Sequence, residues 1–123
     1  MMKQICLEQS SLCITEWYWG GGGAAGWSDM RVFLSQKTTN TETFKQTNPI
    51  AIFKDGCSSL QWSPQQEAII KICSLKLKTY PEILEKKYKI AVPKTCNIDK
   101  LEGAYSRNWY MPGTFKEACN SML

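Results

Sequence analysis

The chain has 123 residues, of which 43% are apolar and 21% charged, the balance of one folded domain rather than a disordered segment. No apolar run is long enough to cross a bilayer as a helix, and "MMKQICLEQSSLC" lacks the apolar stretch of an export signal, so a cytoplasmic location is expected. The net charge of +4 is uneven, with five basic and five acidic side chains in residues 1–62 against ten and six in residues 63–123, an excess that suits either a solvated helical surface or an anionic ligand.

The first half reads as strands. "SLCITEWYW" (11–19) is rich in β-branched and aromatic residues. "MRVFLSQ" (30–36) alternates, with Met30, Val32 and Leu34 on one face and Arg31, Phe33 and Ser35 on the other. The polar "KTTNTET" (37–43) reads as a loop or a hairpin tip. "NPIAIFK" (48–54) reads as a buried strand. Asp55-Gly56, which tolerates the positive φ of a tight turn, is expected to join it to a return strand "CSSLQW" (57–62).

The second half reads as helices. "SPQQEAIIKICSLKLK" opens with Ser63 as N-cap, Pro64 in the first turn and Gln66 at the capping-box position, and Ile69, Ile72, Cys73 and Leu77 then recur at helical spacing. Pro81 interrupts, and "PEILEKKYK" forms a second helix with Leu84 and Tyr88 one turn apart. Asn97 caps a short turn carrying Ile98, Leu101 and Tyr105. After Pro112-Gly113, a capping box from Thr114 to Glu117 starts a last helix striped with Phe115, Ala118, Cys119 and Met122. The expected architecture is α+β in a single domain over 1–123, with an antiparallel β-sheet from the N-terminal half (1–62) and helices following in the C-terminal half (63–123).

Six cysteines stand at 6, 13, 57, 73, 96 and 119, with no zinc-knuckle spacing and no histidine anywhere, so no metal and no cofactor are expected. Without an export signal they are expected to be reduced thiols, Cys73 and Cys119 being small core residues on helix faces. Lacking histidine, the chain also lacks the usual general base near neutral pH, no serine or cysteine has a visible base partner, and no activity as an enzyme is expected.

"WYWGGGGAAGW" (17–27) concentrates glycines between tryptophans. It has neither the lysine of a P-loop nor dinucleotide-fingerprint spacing. It is either a slack hairpin or a place where amide N–H groups meet an anion while Trp19 or Trp27 stacks on a base. The stretch 81–105 has the outline of a helix-turn-helix. Its apolar face of Ile98, Leu101 and Tyr105, and the carboxylates of Asp99 and Glu102, argue against nucleic acid.

Over residues 24–72 the order "AAGW..M.VFL", "NPIAIFKDG" and "W.P.Q" resembles a family of small phage proteins that counter the Thoeris defence system by sequestering its signal. The matching positions are Gly26-Trp27, Met30, Phe33-Leu34, Ile50-Ala51-Ile52, Lys54, Asp55-Gly56, Trp62, Pro64 and Gln66. Gln65 and Ala68 depart from the family's pattern, and its amphipathic N-terminal helix is missing. The resemblance implies a homo-oligomer that binds cyclic ADP-ribose-type nucleotides between subunits without cleaving them, and the expected ligand is a nucleotide immune signal of that type or a cyclic dinucleotide. The candidate ligand-binding residues are Trp19, Gly22, Gly23, Gly26, Trp27, Arg31, Lys54, Trp62 and Gln66. An inhibitor of a host defence protein such as a nuclease, or a small helix-turn-helix regulator, are the alternatives.

Overall fold

The structure is a computed structural model that describes residues 2–20, 28–38, 40–80, 90–91, 99–103 and 112–123. Strands β1 (Met2–Cys6), β2 (Leu12–Gly20), β3 (Ser28–Gln36), β4 (Ala51–Trp62), β5 (Ala68–Thr79) and β6 (Ile90–Ala91) form one sheet in sequence order. The first five run each antiparallel to the next, and the two-residue β6 pairs parallel to β5. Helix α1 (Thr41–Gln46) lies in the β3–β4 connection, and α2 (Pro112–Ser121) closes the chain. This overturns the expected α+β architecture: the protein is nearly all-β, and the helices that follow the strands are small.

The decisive departure is at residues 63–79, where a helix was expected and β5 is found. Ser63, Pro64 and Gln66 build a tight turn rather than a helix start. The Ser63 hydroxyl accepts from the N–H groups of Gln65 (3.2 Å) and Glu67 (3.0 Å), and the Ser63 N–H donates to the Glu67 carbonyl at 2.8 Å. Gln66 takes the left-handed conformation, with φ 63°. A hydroxyl that caps a helix can equally close a turn, and the β-branched Ile69, Ile70 and Ile72 then favour the strand.

The β4–β5 hairpin tip is therefore at 63–67 and not at Asp55-Gly56, which lies within a continuous β4. Asp55 still has a positive φ, 52°. Its effect is to kink the hairpin: pairing passes from Lys54↔Lys76 to Gly56↔Ser74 with register kept, and the core-facing parity switches. Before the kink Ala51 and Phe53 face the main core; after it Leu60 and Trp62 do. Ser74, buried, repairs the ladder at the kink, its hydroxyl reaching the Lys54 carbonyl and accepting the Lys76 N–H at 3.1 Å.

The kink lets the far half of the hairpin fold over β1 and β2. Ile5, Ile14, Val32 and Ile50 meet Leu60, Ala68, Ile70 and Ile72 in one core. The Trp62 indole N–H donates to the Ile5 carbonyl at 2.9 Å, and the Ser58 hydroxyl donates to the Glu16 carboxylate. On the other side of β2–β3, Phe44 of α1 packs on Phe33 and Trp17, at 5.1 and 5.6 Å between ring centroids. The segment 37–43, read as a loop, thus contributes the start of α1, whose N–H at Glu42 is capped by the Asn40 side chain at 3.0 Å.

The described cysteines are not thiols. Cys6 and Cys13, directly opposed on β1 and β2, are bonded, Cys57 of β4 is bonded to Cys119 of α2, and Cys73 is also in a disulfide. Cys73 lies on a strand rather than on a helix face. Around the second bridge Leu101 and Leu75 form a smaller core on the reverse of the hairpin. Closing a loop with a separation of 62 residues stabilises by about 4 kcal/mol in the chain-entropy picture.

Candidate functional site

Opposed residues of an antiparallel pair point to the same side of the sheet. The register therefore sets two rows on the side away from the main core. Arg31, Ile52 and Lys78 form one row across β3, β4 and β5, and Lys54 and Lys76 form the next. Phe53 and Leu77, between them in sequence, face the core instead. The rows border an open depression of about 300 Å³ lined by Ile52, Lys54, Lys76 and Lys78 with Phe53 and Leu77. At about 4.8 Å between strands and 3.4 Å per residue, the backbone positions that carry the four cations span about 10 by 7 Å.

The cations differ in how they are held. Arg31 donates from Nε to the Asp29 carboxylate at 3.1 Å, and Asp29 is itself buried. Lys78 sits 5.2 Å from the centre of the Tyr80 ring. Lys54 and Lys76 have no carboxylate partner among the described residues, yet face one another directly across the strands. Like charges placed so are unfavourable by about 0.2–1 kcal/mol.

The expected site residues divide among several places. Arg31 and Lys54 share the basic face. Trp62 and Gln66 line a different depression of about 350 Å³ beside Ile5, Leu7 and Glu8. Lys54 and Trp62 are eight residues apart on β4, about 27 Å along a straight strand. Trp62 is occupied in tying β4 to β1 through its indole N–H, a structural role. Trp19 pairs with Asp29 at the end of β2. Gly22, Gly23, Gly26 and Trp27 lie outside the described residues, as do the expected helix 81–89 and the proposed turn of the helix-turn-helix.

Lys76 and Lys78 were not among the expected residues. Their signal was present as "LKLKT", an alternation of leucine and lysine that a helical reading scatters around a cylinder and a strand gathers on one side. No protein-family profile, curated protein or solved structure matches the chain. Among the described residues no helix is long and apolar enough to cross a membrane.

Proposed function

We propose that the protein binds a phosphorylated small molecule of the nucleotide class on the Arg31–Lys54–Lys76–Lys78 face and releases it unchanged. The observation that carries this reading is the directly opposed Lys54–Lys76 pair beside Lys78 and Arg31. An unfavourable cationic pair on an open face becomes favourable once an anion lies between its members. The span of about 10 by 7 Å suits a diphosphate with an attached sugar better than an extended polyanion. The chain's lack of histidine supports binding without cleavage. Sequestration of a cyclic ADP-ribose-type signal by a homo-oligomer is the form of this activity that the sequence resemblance implies.

The place of action is proposed to be an oxidising one. Disulfides persist outside reducing cytoplasm, and the described cysteines are all in them. This sits poorly with a sponge acting inside a host cell, so the ligand panel must reach beyond immune signals. Titration calorimetry against inorganic pyrophosphate, ADP-ribose, cyclic ADP-ribose isomers and cyclic dinucleotides tests the proposal. Binding should weaken as salt rises. Lys54→Ala or Lys76→Ala should each weaken it about tenfold or more, the worth of one charged hydrogen bond. Lys45→Ala, on α1, should not change it. No binding across the panel, with a stable complex formed with a host protein, would move the case to an inhibitor; a cleaved ligand would show an enzyme.

A further inference from the structure

The smaller core holds three sulfur atoms from three separate elements. The Sγ atoms of Cys57 on β4, Cys73 on β5 and Cys119 on α2 all lie within 4.8 Å of one another, and all three residues are buried. Cys57 and Cys73 are directly opposed across the hairpin, and the Cys119 Sγ lies 3.5 Å from the Cys73 carbonyl oxygen. The disulfides are enough to explain one close pair of sulfurs. They do not require that a sulfur from a second disulfide join it.

We infer that the reduced protein holds a divalent d¹⁰ cation of the zinc class at Cys57, Cys73 and Cys119. Around such an ion, with metal–sulfur bonds of about 2.3 Å, three thiolates stand about 4 Å apart. The present cluster reaches that spacing when Cys57 and Cys119 separate and Cys73 keeps its place on β5. Three thiolates and a divalent ion leave a net charge of −1, which burial tolerates better than three unneutralised thiolates. The local spacing of cysteines in sequence gives no hint of this, because the ligands come from two opposed strand positions and a distant helix.

Reduction supplies the ligands. With a water-soluble phosphine, each disulfide consumes one phosphine and one water and yields two thiols and the phosphine oxide. Metal binding then releases the three thiol protons to the buffer. In the oxidised protein the same sulfurs are bonded in disulfides, so bridging and metal binding exclude one another.

The test is a titration of the anaerobically phosphine-reduced full chain with Cd²⁺, followed by the thiolate-to-cadmium absorption in the ultraviolet and by circular dichroism for the sheet. One equivalent should bind tightly to the reduced protein and none to the oxidised one. Cys73→Ser should weaken binding by at least about a hundredfold, beyond what loss of an outer-shell partner costs. The Cys6→Ser/Cys13→Ser double variant should bind as the reduced wild type does, and bound Cd²⁺ should raise the melting temperature of that variant after reduction. Absence of stoichiometric binding, whether or not the reduced chain keeps its sheet, overturns the inference, as does tight binding that survives Cys73→Ser.

Discussion

Two neighbouring positions on β4 should respond very differently to substitution, one with a large loss of stability and the other with almost none. A Cβ built on Gly56 would lie 2.1 Å from the Cys73 carbonyl oxygen and 2.6 Å from the Ser74 Cα. Both are backbone atoms of the opposed strand and cannot rotate away. For Gly56→Ala to reach ordinary contact, β4 and β5 must part by about 1 Å at the kink. Overpacking of this kind costs about 1–3 kcal/mol, and a lost ladder hydrogen bond adds about 1 kcal/mol. In a domain of this size the sum lowers Tm by roughly 10 °C. Asp55, by contrast, holds φ 52° with its side chain exposed. Asp55→Gly relieves that backbone cost while adding chain entropy to the unfolded state, so its net effect should stay within about 1 kcal/mol of zero. Thermal and urea unfolding of both variants decide the matter. A Gly56→Ala protein that melts within a degree of wild type, or an Asp55→Gly protein that is the more damaged of the two, would refute the close-approach argument.

Three further outcomes follow from the same contacts. Phe44→Ala removes the aromatic lid from Phe33 and Trp17 and should destabilise by about 3–5 kcal/mol in chemical denaturation. Arg31→Ala should lower stability as well as ligand affinity, because it strips the buried Asp29 of an ion-pair partner; Arg31→Lys should recover part of the stability. Thiol titration of the denatured, non-reduced protein should find no free cysteine, and Cys57→Ser/Cys119→Ser should cost about 4 kcal/mol.

Strands β2 and β3 were legible, β3 because its alternation is strict: Met30, Val32 and Leu34 do face the core side, and Arg31 and Phe33 the other, whereas β1 (Met2–Cys6) was not anticipated and β4 was read as two strands. The second half was misread for a specific reason. "AIIKICSLKLKT" straddles the kink opposite Asp55, where the buried parity changes from Ala68, Ile70 and Ile72 to Leu77. A strand that changes parity in mid-course loses its period of two over a long window, and Ile69, Ile72, Cys73 and Leu77 then match a helical period. The Ser63-Pro64 start signal reinforced the error, since turn and helix use the same hydroxyl acceptor. Asp55-Gly56 was a sound sign of positive φ and a wrong sign of a hairpin, because the positive φ serves a kink.

The basic face was only half legible, and for the same reason. Arg31 and Lys54 could be picked as cations from the sheet half, but their company depends on register: Lys78 joins Arg31 only through Ile52, and Lys76 meets Lys54 only if β5 is a strand. The excess positive charge of residues 63–123, which suited either a solvated helical surface or an anionic ligand, is in part returned by the hairpin to the strands of the first half. Local sequence carries the sign and number of the charges; long-range pairing decides whether they repel across a gap or converge on an anion. The kink belongs to this logic too. Without it Lys54 and Trp62, an even number of residues apart, would lie on the same side of β4. With it Trp62 turns into the core against Ile5 while Lys54 stays on the open side, so one strand both seals the sheet and displays the cations.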